Sequence, residues 1–207
     1  RVANRAADLG YHVALALTPF YYRGQMHNPE TQAVFFRAVA DQSKIPVLLY
    51  NIPQVTGYDL PVDTIAELSH HPNIIGMKDS SGNVEKLKQT VQAVKPSFQV
   101  LSGSGVSFGE ALEVGAAGAI LAIANALPYA CVTIWEAFRA RQQEACKDWQ
   151  TRLFPASKII AAKYGIPGLK HAMDLNGYYG GPPRLPFIPP SVEAKAEIAQ
   201  AFDGLRS

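Results

Sequence analysis

A lysine and a tyrosine stand at the ends of two short apolar segments of this sequence. Lys78 directly follows the apolar segment 74–77, and Tyr50 closes the segment 47–50. Lysine is rarely buried, and removal from water favours its neutral amine, which can attack a ketone and form an imine. A phenol beside that amine can pass protons to and from the carbinolamine. The pair therefore indicates Schiff-base chemistry, with Lys78 as nucleophile and Tyr50 as proton relay.

Each of these residues also has a purely structural interpretation. Lys78 could extend into solvent at a strand end or pair with Asp79, and Tyr50 could be an aromatic of the core. The spacing argues against that alternative, since adjacent parallel strands lie about 4.8 Å apart and would bring both side chains to one mouth. We therefore expect both residues to be catalytic.

Small polar residues follow two of the predicted strands. The hydroxyls of Ser80 and Ser102 could hold a substrate carboxylate or hydroxyl, although serines in such loops also cap turns. Gly103-Ser104-Gly105 is interpreted as backbone that approaches a ligand closely. It is weak evidence for a phosphate-binding α/β protein, because no Gly-Lys-Thr or Gly-Lys-Ser follows.

Histidines and cysteines give little support to a metal site. His70 and His71 are adjacent at a predicted helix end, where we expect them to interact with the last carbonyls. The other histidines are isolated, and no Cys/His cluster has zinc spacing. A metal-dependent aldolase is disfavoured, and no cofactor is expected. Cys131 and Cys146 are predicted to be free thiols.

The elements that must position these residues alternate between short apolar strands and longer helices. This order predicts parallel βα units, and strands that are nearly all apolar suit a sheet covered on both faces. Five units occupy roughly the first 125 residues, whereas an eight-unit barrel usually needs about 250. The rival is an open doubly wound sheet of five strands. The predicted strands are Val13–Leu17, Val47–Tyr50, Ile74–Met77, Gln99–Leu101 and Ala119–Ile123, and the helices between them are Pro29–Asp41, Pro61–Leu68, Asn83–Val94 and Ser107–Val114.

The remainder of the chain is predicted to be helical. We expect a partial barrel over residues 1–139 and a C-terminal helical region over 140–207. Proline and glycine are predicted to interrupt that region at Pro155, Gly165, Pro167 and 177–190. The sequence begins without methionine. Its first residues are predicted to be the middle of a helix that ends at Gly10. We expect that about three βα units, and any targeting segment, precede it. The predicted helices are Tyr129–Phe154, Ala156–Tyr164, Gly168–Leu175 and Ser191–Phe202.

Composition excludes several other classes of function. The net charge of +2 provides no strong basic field for nucleic acid or an anionic membrane. No apolar run approaches the roughly 20 residues of a membrane-spanning helix. The 48 % of hydrophobic residues suits an ordinary globular core.

Three segments together resemble the dihydrodipicolinate synthase / N-acetylneuraminate lyase family: Thr18–Tyr22, Leu49–Gly57 and Gly76–Gly82. Their Tyr-Asn-x-Pro and Ile-Gly-x-Lys-x-x-x-Gly signatures are specific in combination, and the likeness extends over essentially the whole chain. Further segments are similar to the 4-hydroxy-2-oxoglutarate aldolase branch of that family: Asp59–Asp63, His71–Ile74, Phe98–Leu101, Gly165–Lys170 and Gly177–Pro182.

The resemblance implies a (β/α)8 TIM barrel with a C-terminal helical region, assembled as a homotetramer from dimers. It implies that Lys78 forms the imine with pyruvate or another 2-oxo acid and that Tyr50 relays protons. Tyr21 matches a tyrosine that crosses the dimer interface into the neighbour's site. Ser80 matches a residue that contacts substrate. Two further positions match residues that line the pocket through backbone groups, Gly103 and Ile120.

Two departures from the family pattern bear on function. The Gly-[Ser/Thr]-[Thr/Ser]-Gly-Glu motif, which grips the pyruvate carboxylate in the family, is absent from this sequence and belongs to the part expected upstream. Val55 stands where dihydrodipicolinate synthases have an arginine for the aldehyde's carboxylate. A valine cannot make that bidentate contact.

The sequence is therefore interpreted as a class I aldolase or lyase that cleaves or condenses pyruvate-type 2-oxo acids. A 4-hydroxy-2-oxoglutarate aldolase is favoured, with a 4-hydroxy-tetrahydrodipicolinate synthase or another 2-keto-sugar-acid lyase as the alternative. A non-catalytic binding or assembly subunit is the alternative of another class. We expect a small-molecule substrate, no nucleic-acid or membrane partner, and a cytoplasmic location, or a mitochondrial one.

Overall fold

The computed structural model describes residues 1–205, which form two compact units. Unit 1 comprises residues 1–104 and 114–120, and unit 2 comprises residues 105–113 and those from 121 onward. The predicted division into 1–139 and 140–207 stays a prediction. No helix in residues 1–205 is both long and apolar enough to cross a membrane.

Unit 1 contains a parallel sheet in which every strand lies beside its predecessor in the sequence. The spatial order is β1-β2-β3-β4-β5. A doubly wound sheet reverses its order at a switch point, whereas a (β/α)8 barrel adds each strand beside the last. The order is therefore that of a partial TIM barrel, as predicted, and not that of the doubly wound rival. The strands are β1 (Ala14–Leu17), β2 (Val47–Asn51), β3 (Ile74–Asp79), β4 (Gln99–Ser102) and β5 (Gly118–Ala119).

Strands β2, β3 and β4 each continue one or two residues past their predicted ends, and the fifth predicted strand is misplaced. β3 continues through Asp79, so Lys78 lies within the strand and not after it. The predicted strand Ala119–Ile123 is wrong, because only Gly118 and Ala119 pair with β4. The apolar residues that follow enter a 3₁₀ turn over Ile123–Asn125, and the Asn125 amide donates to the Ala122 carbonyl. That local hydrogen bond competes with continued strand pairing.

Six helices belong to unit 1, and side-chain caps define where two of them begin. Asn28 accepts a hydrogen bond from the Glu30 N–H in front of Pro29, and Asn83 accepts one from the Lys86 N–H. Both asparagines satisfy amide groups that a helix start leaves without partners. The helices are α1 (Val2–Asp8), α2 (Arg23–Met26), α3 (Pro29–Gln42), α4 (Pro53–Thr56), α5 (Val62–Ser69) and α6 (Val84–Ala93).

Burial alternates along β2, contrary to the expectation of strands covered on both faces. Val47, Leu49 and Asn51 are buried, whereas Leu48 and Tyr50 are only partly buried. Successive side chains point to opposite faces of a sheet, so one face meets the core and the other stays partly accessible. Helices α3 and α5 supply much of that core. Its largest fully buried side chains are Phe36, Leu49, Leu60, Ile65, Leu68, Ile74 and Met77.

Unit 2 is helical, and one of its helices ends at Leu175 as predicted, whereas other helices begin or end at different residues from those predicted. The chain turns between α8 and α9 at Arg141, whose φ is 58°, so the segment Tyr129–Phe154 is not one helix. Pro155 lies inside α9 and does not end it. The buried neighbours Leu153 and Ala156 give a physical reason, since burial of apolar side chains can offset the cost of an internal proline. The elements are α7 (Phe108–Glu113), α8 (Pro128–Arg139), α9 (Gln143–Ile159), a π-helix (Ile160–Tyr164), α10 (Gly165–Leu175) and α11 (Val192–Ala201).

Both cysteines lie in unit 2 and are free, as predicted, and both are also buried. Burial raises the pKa of the Cys131 thiol to about 12. Burial also raises the pKa of the Cys146 thiol, and the carboxylates of Glu113 and Glu110 add to that effect. Neither thiol is therefore activated as a nucleophile.

Candidate active site

Lys78 and Tyr50 meet on the partly accessible face of the sheet in unit 1. Lys78 Nζ lies 3.3 Å from Tyr50 Oη and donates a hydrogen bond to it. The same nitrogen lies 4.3 Å from the centroid of the Tyr50 ring. The two atoms are thus near the outer limit of about 3.2 Å for direct proton transfer, and such hydrogen bonds commonly shorten when substrate binds.

The register of the sheet produces this meeting. Tyr50 on β2 is paired with Lys78 on β3, and Asn51 is paired with Asp79. Side chains of directly paired residues project from the same face of a sheet. A shift of β2 by one residue would move Tyr50 to the opposite face. The chemistry of the pair therefore depends on strand register as well as on residue type.

Ser80 and Gly103 lie beside Lys78. A Cβ atom on residue 103 would fall on Ser80 Oγ and within 2.9 Å of Lys78 Cε. The missing side chain of Gly103 therefore leaves the space that these two side chains occupy. The structure brings together four of the residues predicted for the site: Lys78, Tyr50, Ser80 and Gly103.

Ser102 and Ile120 occupy the ends of the two strands that follow β3. Ser102 is buried, accepts a hydrogen bond from Ser104 N–H at 3.2 Å, and donates one to the Ser104 carbonyl at 3.4 Å. Its hydroxyl thus stabilises the turn, in agreement with the structural interpretation of serines in such loops. The Ile120 N–H donates to the Ser102 carbonyl at 2.9 Å. The backbone of Ile120 therefore extends the pairing of β4 and β5.

Tyr21 lies apart from these contacts, on the segment between β1 and α2. Its side chain is 83 % exposed, and its ring packs edge-on against Tyr22 with 5.2 Å between the centroids. An aromatic ring this exposed remains available to another molecule. A role for Tyr21 across a dimer interface stays a prediction.

A group of polar residues beneath the Lys78–Tyr50 pair was not predicted. We call Asn51, Asp59, Asp79 and Lys86 the polar cluster. The Asn51 amide donates to Asp59 Oδ1 at 2.6 Å and to Asp79 Oδ1 at 3.2 Å, and Lys86 Nζ donates to Asp59. A sequence signal did exist, because Asn51 directly follows Tyr50 and Asp79 directly follows Lys78. That signal did not reveal the other two members of the cluster. Asp59 lies in a loop and Lys86 in a helix, and the spacing of residues along the sequence does not show that these segments come close to Asn51 and Asp79.

Tyr58 adjoins the polar cluster through the chain. Its side chain is 5 % exposed, and burial raises the pKa of its phenol, against a smaller opposing effect of the Thr18 hydroxyl. The Tyr58 phenol is therefore neutral at physiological pH and contributes no charge to the surroundings of Asp59.

The histidines do not gather into a metal site. Within residues 1–205, no group of three or more His, Cys, Asp or Glu side chains is arranged to hold a metal ion. The His71 backbone N–H donates to the Leu68 carbonyl in the last turn of α5, as expected, but its ring makes other contacts. Its Nδ1 accepts from Asn73 N–H and its Nε2 lies 2.9 Å from Asp41 Oδ1, because the ring reaches across to the end of α3.

Comparison with known proteins agrees with the fold that the strand order indicates. The sequence profile of the Dihydrodipicolinate synthetase family matches residues 1–204. A "probable 4-hydroxy-2-oxoglutarate aldolase, mitochondrial" from Emericella nidulans is 40 % identical over 95 % of this chain and 63 % of its own length. A 4-hydroxy-tetrahydrodipicolinate synthase from Exiguobacterium is 34 % identical over 97 % of this chain and 67 % of its own length. The chain thus spans about two thirds of the length of these curated relatives.

Solved structures show the same fold. A prophage protein of the dihydrodipicolinic acid synthase family from E. coli K12, solved in complex with pyruvate, superposes with a TM-score of 0.90 at 26 % identity. The match covers 99 % of this chain and 70 % of that protein.

Proposed function

This chain belongs to the dihydrodipicolinate synthetase family, whose members are lyases, and from that premise we propose that it acts as a Schiff-base aldolase on 2-oxo acids. The observation that supports the proposal best is the 3.3 Å hydrogen bond between Lys78 Nζ and Tyr50 Oη. A nucleophilic amine and a proton-transferring phenol are the two groups that imine formation requires.

The proposed reaction begins when the neutral amine of Lys78 attacks C2 of the 2-oxo acid. Tyr50 transfers protons as the carbinolamine loses water and becomes a protonated imine. That imine accepts the electron pair of the C3–C4 bond when the C4 hydroxyl loses its proton and the aldehyde leaves. The resulting enamine takes a proton at C3, and water hydrolyses the imine to release pyruvate. No cofactor takes part, because the imine itself is the electron sink.

The neighbouring groups have proposed roles around this pair. Ser80 is placed to hydrogen-bond the substrate, and Gly103 keeps the space beside Lys78 open. The hydroxyl of Ser102 acts on the adjacent turn. The backbone of Ile120 lines the pocket, and Tyr21, which is 83 % exposed, reaches the site of a neighbouring subunit.

The favoured substrate is 4-hydroxy-2-oxoglutarate, which aldol cleavage would convert to pyruvate and glyoxylate. The fungal relative named for this activity shares 40 % identity with the chain, against 34 % for the synthase from Exiguobacterium. Val55, which is 59 % exposed, cannot form the bidentate contact that an arginine would offer to an aldehyde's carboxylate.

Condensation of pyruvate with a second aldehyde is the other candidate reaction. The relative from Exiguobacterium is named 4-hydroxy-tetrahydrodipicolinate synthase, and the same imine and enamine serve condensation as well as cleavage. Assembly as a homotetramer built from dimers is proposed on the exposure of Tyr21. We also propose a cytoplasmic location, with a mitochondrial one as the alternative that the name of the fungal relative suggests.

The proposal is tested by trapping the imine. The protein is incubated with pyruvate and sodium borohydride, and the adduct is located by peptide mass spectrometry. We expect a reduced adduct on Lys78, none in Lys78→Ala, and an adduct formed about 100-fold or more slowly in Tyr50→Phe, which keeps the ring but loses the hydroxyl.

Lys88→Ala is the matched control, because it removes an exposed lysine from α6, away from the Lys78–Tyr50 pair. Its adduct should form at the wild-type rate. Wild-type protein without any adduct would contradict the mechanism and favour a non-catalytic subunit. Product assays with 4-hydroxy-2-oxoglutarate, and with pyruvate plus aspartate 4-semialdehyde, then distinguish cleavage from the synthase reaction.

A further inference from the structure

The two residues that follow Tyr50 and Lys78 are themselves paired, on the opposite face of the sheet. Asn51 pairs with Asp79 in the register of β2 and β3, one step beyond the pairing of Tyr50 with Lys78. We propose that Asn51 and Asp79 are positioning residues that hold the Lys78 amine and the Tyr50 phenol at reacting distance. This inference rests on the proposed function and adds to it two residues that touch no substrate.

Asn51 connects three parts of unit 1 through its side chain alone. The side chain is fully buried. Its Nδ2 donates to Asp79 Oδ1 at 3.2 Å and to Asp59 Oδ1 at 2.6 Å, and its Oδ1 accepts from Leu60 N–H at 3.1 Å. Both polar atoms of the amide are therefore satisfied, so the orientation of Asn51 is fixed. An apolar or differently charged side chain could not make the same set of bonds.

Asp79 connects the end of β3 to the loop that contains Ser80. Its Oδ1 accepts from Ser81 N–H at 2.7 Å as well as from Asn51. The backbone on either side follows the same course, since Ser80 N–H donates to the Asn51 carbonyl at 2.8 Å and Gly103 N–H donates to the Asp79 carbonyl at 2.6 Å. Asp79 thus ties the ends of β2, β3 and β4 together where the proposed site begins.

The burial of the Asp79 carboxylate is energetically unfavourable, so a contribution to stability does not explain it. Asp79 is 3 % exposed, and its Oδ2 is a buried oxygen without a hydrogen-bond partner among the described residues. A buried carboxylate with one unsatisfied oxygen is unfavourable, and such groups in folded proteins call for a specific reason. Lys86 balances part of the charge of the polar cluster through its ion pair with Asp59. Orientation of the neighbouring lysine supplies that reason.

Geometry links this pair to catalysis. Lys78 and Asp79 share a peptide bond, as do Tyr50 and Asn51, so any displacement of the buried pair moves the catalytic pair on the other face. A misplacement of about 1 Å can lower a reaction rate by about 100-fold. The Lys78–Tyr50 hydrogen bond, at 3.3 Å, is already at the long end of the normal range, so little separation is needed to lose it.

The test compares the single variant Asn51→Asp with a double variant in which positions 51 and 79 exchange their residue types. Asn51→Asp keeps the size of the side chain but places a third carboxylate against Asp59 and Asp79, whereas Asn51→Asp with Asp79→Asn restores an amide–carboxylate pair between the strands. We expect the rate of imine trapping at saturating pyruvate to fall about 10- to 100-fold in Asn51→Asp and to recover at least several-fold in the exchange. The half-saturating pyruvate concentration should change less than the rate.

Ser69→Ala is the matched control for a purely structural effect. Ser69 is a fully buried polar residue of unit 1 that bonds Ala66 and Lys95, in the segments that lead into β3 and β4 and so at the opposite ends of those strands from the polar cluster. We expect it to lower the melting temperature while leaving the trapping rate of the folded protein unchanged. The proposal would be overturned if Asn51→Asp lowered the melting temperature but left the trapping rate unchanged. It would also be overturned if the double variant recovered the melting temperature without recovering the trapping rate.

Failure of the proposed function gives a different result. Wild-type protein that traps no pyruvate refutes the aldolase proposal, and crystal structures of the wild type and of Asn51→Asp then decide the positioning. The positioning proposal is supported if the Lys78–Tyr50 hydrogen bond is present in the wild type and absent from Asn51→Asp. The same hydrogen bond in both structures refutes it.

Discussion

The side chain of Lys78 is held by its neighbours more than by its own strand. Its nitrogen contacts both the hydroxyl and the ring face of Tyr50, and its Cε fills space that a side chain on residue 103 would take. A ring face attracts a cation, and a phenol oxygen accepts from it. Both contacts hold the nitrogen beside the phenol.

Gly103→Ala tests whether that space matters. A methyl group there would collide with Ser80 Oγ and with Lys78 Cε, and since overpacking forces side chains off their rotamers, we expect imine trapping to slow about tenfold or more. The measurement is the rate of borohydride-trapped adduct at saturating pyruvate. Gly24→Ala is the control, because no atom lies within 4 Å of the added group. Equal rates in wild type and Gly103→Ala would show that the space is not needed.

At the scale of elements, α9 is fixed to the start of α7 by one side chain. Gln150 is 7 % exposed, its Oε1 accepts from Gly109 N–H at 2.8 Å, and its Nε2 donates to the carbonyls of Gly105 and Val106. Backbone groups at a helix start have no partners within the helix, so the buried amide supplies them. This contact compensates for a short α7 that spans only Phe108–Glu113.

Gln150→Leu removes all three hydrogen bonds while keeping a side chain of similar size. We expect the free energy of unfolding to fall by about 1–3 kcal/mol, since buried backbone groups lose their partners. Chemical denaturation followed by circular dichroism measures the change. Gln89→Leu, at an exposed position of α6, should change stability by less than about 0.5 kcal/mol. Similar losses in the two variants would contradict the assigned role of Gln150.

At the scale of the whole molecule, His171 makes stability depend on pH. Burial lowers the pKa of its imidazole and the charge of Lys195 lowers it further, against a smaller opposing effect of Asp174. The folded state therefore binds the proton less tightly than the unfolded state does. The stabilisation is fully present above pH of about 6.5, the unfolded value, and is lost as the pH falls from there through the folded pKa.

His171→Gln should therefore flatten the dependence of melting temperature on pH between neutrality and mildly acidic conditions. The measurement is thermal unfolding of wild type and variant in matched buffers across that range. His12→Gln, at an exposed position, should leave the wild-type dependence unchanged. A wild type and a His171→Gln variant with parallel pH profiles would show that His171 does not contribute.

The sequence by itself determined the parallel βα order and singled out Lys78 and Tyr50, which the structure places in contact. Short apolar segments separated by capped helices allow few arrangements, and helices such as α3 were predicted to within one residue because Asn28 and Pro29 fix where it begins. The likeness in Leu49–Gly57 and Gly76–Gly82 indicated the family, which the match over residues 1–204 confirmed. The failures included the helix break predicted at Pro155 and the strand predicted at residues 120–123, where packing or a local hydrogen bond outweighed intrinsic preference.

Only the tertiary structure decided how the pair is held. Register sets Tyr50 opposite Lys78 and, one step on, Asn51 opposite Asp79, and both pairs follow from hydrogen bonds between strands that local sequence does not specify. Asp59 and Lys86 join the polar cluster from a loop and a helix, and Gly103 matters for the volume that it leaves empty. Residue types can be recognised along a chain, whereas distances and empty volumes exist only after long-range packing has brought distant segments together.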